Sequence, residues 1–175
     1  MSERLDYQQD TTRLQAGLTD GQLSGEMRIE EHGRRLIAMH YQQGVLHGVT
    51  ESWHPNGQLA MQQEYHHGRL QGVARYFSEE GVLIREEHWR EGQLHGECRC
   101  FYPSGQMQMQ MREQWQDGLR HQQSEQFYPD GACAMRQQYV LGRLAHEPER
   151  WLPDGRAINA WGQSQSRFSK WTEHL

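Results

Sequence analysis

The sequence predicts an all-β protein: a single-layer antiparallel meander of about five to six β-hairpin repeats with a period of 24 residues. Three observations predict it. One glycine series, Gly44, Gly68, Gly92, Gly118 and Gly142, steps by 24, 24, 26 and 24 residues. A second, Gly33, Gly57, Gly81, Gly105, Gly131 and Gly155, interleaves with it at 24, 24, 24, 26 and 24. Aromatic residues keep the same beat at Tyr41, Tyr65, Trp89, Trp115 and Tyr139, three positions before the first series, and at Trp53, Phe77, Phe101, Phe127 and Trp151, nine after it. A fixed period of this length is the mark of a repeat array.

Composition agrees with a thin fold. The 175 residues are 35% hydrophobic with a mean hydropathy of -1.02, against roughly 45 to 50% apolar in an ordinary globular domain. A thick apolar core is excluded, while 10% aromatic content argues against disorder.

Taken along the chain, residues 1–20 show little period beyond Leu14 and Leu18 and are expected to be an N-terminal cap. Gly21-Gln-Leu-Ser-Gly25 is a weak first copy of the sequence that recurs as Gly44-Val-Leu-His-Gly48, Gly68-Arg-Leu-Gln-Gly72 and Gly92-Gln-Leu-His-Gly96. The first Gly of each marks a turn and the second lies inside the next strand. Asn56-Gly57, Asp130-Gly131 and Asp154-Gly155 in the other series are dipeptides that suit two-residue hairpin turns. Segments between the turns, such as Val82-Leu-Ile-Arg-Glu-Glu-His-Trp89, have strand length and lack the three-and-four spacing of an amphipathic helix. Across the turn at His67-Gly68, Tyr65 should face Leu70 and lie diagonally over Gly72, its ring covering bare backbone. The two extra residues in Gln106-Met-Gln-Met-Gln-Met111 are even in number, so later side chains keep their face. The array is expected to span residues 21–158. Residues 159–175 form a C-terminal cap, in which Phe168, Trp171 and Leu175 are spaced for one stripe of a short helix.

The pattern aromatic-x-x-Gly-x-Leu-x-Gly-x4-aromatic-x3-Gly-x-Leu, clearest at Trp89-Arg-Glu-Gly92-Gln-Leu-His-Gly96, resembles the MORN-repeat variant of the YwqK family of bacterial antitoxins over about residues 21–158. Gln122 and His146 depart from it, standing where Gly48, Gly72 and Gly96 stand earlier. The resemblance implies MORN-type hairpins and a cytoplasmic bacterial protein that binds and neutralises a protein toxin or effector.

Charge and motifs narrow the function classes independently. With 18 basic and 23 acidic residues the net charge is -5, the wrong sign for drawing in nucleic acid or anionic membrane. Met1-Ser2-Glu3-Arg4-Leu5-Asp6 has neither the charged nor the apolar region of a secretory signal, no long apolar run occurs, and Cys98, Cys100 and Cys133 are odd in number, so reduced thiols and a cytoplasmic location are expected. No phosphate loop, nucleophile elbow or dinucleotide fingerprint occurs. No catalytic residue, cofactor or small-molecule substrate is expected.

Three clusters have residue types that could carry chemistry. His66-His67 with His88 and His95 is the best metal candidate, but neighbouring strand residues point to opposite faces and no tetrahedral set forms, so no metal is expected. Cys98 takes the small-residue slot of Thr50, Ala74 and Ser124, with no basic group evident to make a thiolate. Glu30-Glu31, Glu79-Glu80 and Glu86-Glu87 read as solvated surface, since little apolar matter exists to bury them. The aromatic columns read as the spine between hairpins.

A non-enzymatic antitoxin or immunity protein that covers a toxin's active site is the functional expectation, with an interaction scaffold lacking a toxin partner as the alternative. Trp53, Arg75, Arg99, Met109 and Met111 are the expected contacts, because these residue types anchor protein interfaces.

Overall fold

A computed structural model describes residues 1–103, 108–159, 163 and 164. The strands are β1 (Ser2–Gln9), β2 (Thr12–Thr19), β3 (Gln22–Glu31), β4 (Arg34–Gln42), β5 (Val45–Leu46), β6 (Gly48–Trp53), β7 (Leu59–His66), β8 (Arg69–Leu70) and β9 (Gly72–Phe77). They continue as β10 (Leu83–Arg90), β11 (Gln93–Phe101), β12 (Met109–Gln116), β13 (Leu119–Phe127), β14 (Cys133–Val140), β15 (Arg143–Leu144), β16 (Glu149–Trp151) and β17 (Ala157–Ile158). All belong to one antiparallel sheet in meander order, and none of the described residues is helical. The predicted all-β single layer is therefore what the chain adopts.

Residues 1–20, read from sequence as a cap, form β1 and β2 of the same sheet, with β1 exposed along its whole length as the edge. Most of 159–175, including the expected helix, lies outside the described residues; Ile158 bridges Ser164 beyond β17.

From Gly44 onward the two glycine series make different turns. At His67-Gly68 both central residues have positive φ, 48° and 77°, and Leu141-Gly142 repeats this at 47° and 82°. That is the two-residue turn whose twist matches paired strands. In the second series His32-Gly33 makes this same turn, with φ of 50° and 75°, while the turns at Gly57, Gly81, Gly131 and Gly155 are longer than the two residues expected. Around Gly57, the Gly57 N–H donates to His54 O (2.8 Å) and the His54 N–H to Gln58 O (2.8 Å). This closes a three-residue loop, Pro55-Asn56-Gly57, with the glycine alone at positive φ. Glu80-Gly81, Asp130-Gly131 and Asp154-Gly155 follow the same hydrogen-bond pattern.

The two-residue insertion is also placed differently. Phe101 pairs with Met109 as Trp53 pairs with Leu59, and the Tyr102 N–H reaches Gln108 O at 2.9 Å. The extra length thus falls in the connection between Tyr102 and Gln108, and strand pairing across that connection restores the register.

Each two-residue turn is tied to the unit before it. The Gly68 N–H donates to Leu46 O (2.8 Å), Gly92 to Leu70 O (2.9 Å) and Gly118 to Leu94 O (2.9 Å). At the opposite side the Tyr102 hydroxyl donates to Phe127 O (2.8 Å) and the Tyr128 hydroxyl to Trp151 O (2.9 Å). Such nearest-neighbour ties let a single layer stack without a second sheet.

What is buried runs as a line through the middle of the sheet. Among the described residues, Ala16, Ala38, Ala74, Cys98 and Phe101 are its buried apolar members, outnumbered by Thr50, Gln63, Glu86, Glu87, Glu113, Ser124 and Glu125. Cohesion in so polar a core rests on hydrogen bonds and ion pairs as much as on apolar burial.

Candidate protein-interaction surface

Register alone places one row of long polar side chains across the sheet. Reading directly opposed residues from β4 to β16 gives Ala38, Glu51, then Gln62, and Arg75, Glu86, Arg99, Arg112, Glu125, Arg136 and Glu149. Opposed residues share a face, so this is one continuous guanidinium and carboxylate ladder. Glu86 sits between Arg75 (Nε to Oε2, 2.9 Å) and Arg99, whose Nη2 donates to the other oxygen. Glu125 sits likewise between Arg112 and Arg136, the latter donating from Nε at 3.2 Å.

At Glu86 and Glu125 the carboxylate is buried and the guanidiniums beside it are not. Side-chain exposure is 10% at Glu86 against 41% and 36% for Arg75 and Arg99. Burial acts to raise the Glu86 carboxyl, but bonds from Arg99 and Arg75 outweigh it and hold it below the usual glutamate value. Each glutamate therefore fixes two arginines while leaving their outer edges in solvent. Strand alternation brings Trp53, Phe77, Phe101, Phe127 and Trp151 to this same face, and Arg136 lies 5.5 Å over the Trp151 ring.

The other face carries the second aromatic column and a set of acceptors that sequence reasoning missed. Two residues before each ring stands Gln63, Glu87, Glu113 or Gln137. Tyr65 OH donates to Gln63 (3.1 Å), Trp89 Nε1 to Glu87 (2.9 Å), Trp115 Nε1 to Glu113 (3.2 Å) and Tyr139 OH to Gln137 (3.4 Å). The signal was present as Gln/Glu-x-aromatic on the same 24-residue beat, with Met39 accepting from Tyr41 in the first copy (3.7 Å). Tyr65 does face Leu70, but the glycine directly across from it is Gly48 of the preceding unit, and Gly72 faces Trp89.

Glu86-Glu87 corrects the expectation of a solvated pair: the residues are 8% and 4% exposed. They point to opposite faces, where arginines cover one and Arg85, Tyr76 and Trp89 surround the other. They form no shared acid and base site. Glu79-Glu80 and Glu30 to Glu31 lie at or near turns, mostly exposed.

Cys98 and Cys100 do face one way, and Arg85 lies opposite Cys100 in the register, a basic neighbour that sequence spacing did not reveal. The hydrogen bond between the two thiols, together with burial, pushes Cys98 up. That same bond lowers Cys100 to about 7, with Arg85 acting in the same direction against burial. Alkylation of Cys100 by iodoacetamide should therefore be half-maximal near pH 7, rising with pH as thiolate forms, while an ordinary thiol titrates near 8.5. Peptide mass spectrometry across pH 6 to 9 checks it; a midpoint at or above about 8.5 would remove the proposed thiolate stabilisation.

The sequence-derived contact residues do not form one patch. Trp53, Arg75 and Arg99 lie on the ladder face, Met109 sits at the bulge beside Phe101, and Met111, opposite Cys100, lies on the acceptor face.

With this geometry established, the family comparison is specific. A model described as the MORN repeat variant matches residues 46–67 and 94–112. The chain carries MORN repeats. Both matched stretches open on Leu-His-Gly, at Leu46-His47-Gly48 and Leu94-His95-Gly96, and run through the following aromatic, Trp53 in one and Phe101 in the other. No curated protein matches the chain. Among solved structures, accessory secretory protein 1,2 and 3 of Streptococcus pneumoniae aligns with 69% of this chain at 14% identity and a TM-score of 0.24. The chain corresponds to 19% of that structure's length. An overlap this loose carries no argument. MORN repeats are generally protein-interaction modules, and among the described residues no helix is long and apolar enough to cross a membrane.

Proposed function

We propose that this MORN array is a non-enzymatic cytoplasmic antitoxin or immunity protein, which neutralises a protein toxin by covering its active site with the ladder face. The observation that carries the reading is the ladder itself. Arginines fixed by buried glutamates and flanked by Trp and Phe offer a broad, pre-ordered surface, and pre-ordering lowers the cost of binding. Arg and Trp are the residue types that concentrate binding energy. A net charge of -5 favours association with a basic partner.

The test begins with co-purification from the native host in moderate salt, followed by expression of any stoichiometric partner alone and together with the array. Growth arrest by the partner and rescue by co-expression establish neutralisation. Recovery of only several housekeeping proteins turns the reading toward a scaffold, for which the exposed β1 edge offers strand pairing. With a partner in hand, Trp53→Ala and Arg99→Ala should each weaken binding by about tenfold or more, and Met111→Ala, on the far face, should change it by less than about twofold. Equal losses from both faces would refute a ladder-face footprint.

A further inference from the structure

One cluster stands apart from both faces' ladders. His47, His66 and His67 lie where the bend between β5 and β6 meets the turn between β7 and β8, and one nitrogen from each falls within 4.8 Å of the others. Ring centroids are 4.9 Å apart for His47 and His66, 5.2 Å for His47 and His67, and 4.4 Å for His66 and His67. The alternation that argued from sequence against adjacent His residues sharing an ion does not hold here. His66 ends a strand, but His67 is a turn residue with φ of 48°, so its side chain is not bound to the opposite face.

The repeat itself delivers the third imidazole. In each unit the residue at the bend accepts the N–H of the next turn's first residue: His47 from His67 (3.4 Å), Gln71 from Glu91 (3.1 Å), His95 from Asp117 (3.5 Å) and His121 from Leu141 (3.4 Å). The three slots hold His, His and His in this unit. They hold Gln71, Arg90 and Glu91 in the next, His95, Gln116 and Asp117 after that, and His121, Val140 and Leu141 in the last.

We propose that His47, His66 and His67 form a three-imidazole site for a divalent transition ion of the zinc class, with the remaining position open to water. Imidazole suits zinc and its neighbours, and three protein ligands plus water is a common open arrangement. Ligand nitrogens around tetrahedral zinc lie about 3.4 Å apart, so from within 4.8 Å the rings must close by up to about 1.4 Å. His66 and His67 are exposed and free to rotate. The long N–H contact at His47 Nδ1 gives way if that ring binds through Nε2, because the other nitrogen must then carry the hydrogen. An ion held there clips the bend to the next turn and is independent of any protein partner.

Calorimetric titration of the untagged full-length protein with ZnCl2 tests the site. One saturable equivalent is expected, with His67→Asn weakening binding by at least about tenfold and His66→Gln doing the same. Asn-Gly is the favoured dipeptide for this turn, so His67→Asn preserves the fold. His32→Asn, at another turn, should leave binding unchanged. Absence of saturable binding, equal loss in His32→Asn, or loss in Cys100→Ser with retention in His67→Asn each overturns the assignment, the last by moving the ion to the thiols.

Discussion

Replacing Glu87 with alanine should destabilise the array by about 3 kcal/mol, because it strands several donors at once. Glu87 is 4% exposed. It accepts from Tyr76 OH (3.1 Å) and Trp89 Nε1 (2.9 Å) and pairs with Arg85 Nη2 (2.5 Å). Truncation leaves a phenol, an indole and a guanidinium facing a void, each costing about 1 kcal/mol or more when unsatisfied. Glu87→Gln keeps the size and one acceptor while losing the charge, so about 1 kcal/mol is expected. Tyr76 supplies a local readout. Its hydroxyl is pushed up by burial first and by the Glu87 charge second, so both variants should bring the tyrosinate transition down toward 10. Urea unfolding followed by tryptophan fluorescence measures the stability. A loss for Glu87→Ala no greater than that for the exposed Glu79→Ala would show that the acceptor is dispensable.

The second large effect concerns the glycine inside the strand. Gly96 has φ of 106°, well beyond the left-handed well that other residues tolerate, and an added Cβ would come within 3.2 Å of His88 Cβ. Gly96→Ala combines backbone strain with a clash and should cost about 2 to 3 kcal/mol. The last full unit offers the reverse experiment. Gln122 occupies the same slot at φ of 66°, opposite Tyr139. Gln122→Gly relieves about 1 to 2 kcal/mol of left-handed strain and gives back about 0.5 to 1 kcal/mol through the freer unfolded chain. A net gain of about 0.5 kcal/mol is therefore expected. Thermal unfolding of both variants checks the pair; a stable Gly96→Ala protein would mean the strand relaxes at that position at little cost.

Much of the fold was legible because repetition multiplies weak signals. No single Gly or Tyr identifies a hairpin, but glycines and aromatics recurring at 24-residue spacing define strand, turn and next strand together. Turn types were less legible. Asn56-Gly57 suits a two-residue turn by itself, yet the pairing of Trp53 with Leu59 imposes a three-residue loop. The extra residues after Tyr102 could equally have lengthened strands, and only the pairing of Phe101 with Met109 put them in the connection.

The site was less legible than the fold for a related reason. Glu86 and Glu87 read as surface because apolar residues are scarce, but guanidiniums and ring donors can bury a carboxylate without any apolar neighbour. Arg75, Glu86, Arg99, Arg112 and Glu125 follow one another at 11, 13, 13 and 13 residues, a spacing that keeps the repeat beat without showing which of them meet, and they become one ladder only across strands. His47 is 19 residues from His66, and nothing in their spacing joins them.

Period and composition alone thus dictate a thin antiparallel meander, its unit length and its alternating faces, because those properties follow from local backbone geometry repeated in order. Which side chains meet was decided only by the tertiary structure. Contacts across strands depend on register, bulges and the left-handed turn residues, and a shift of one position at any of these exchanges the faces on which Arg99, Glu87 and His67 find their partners.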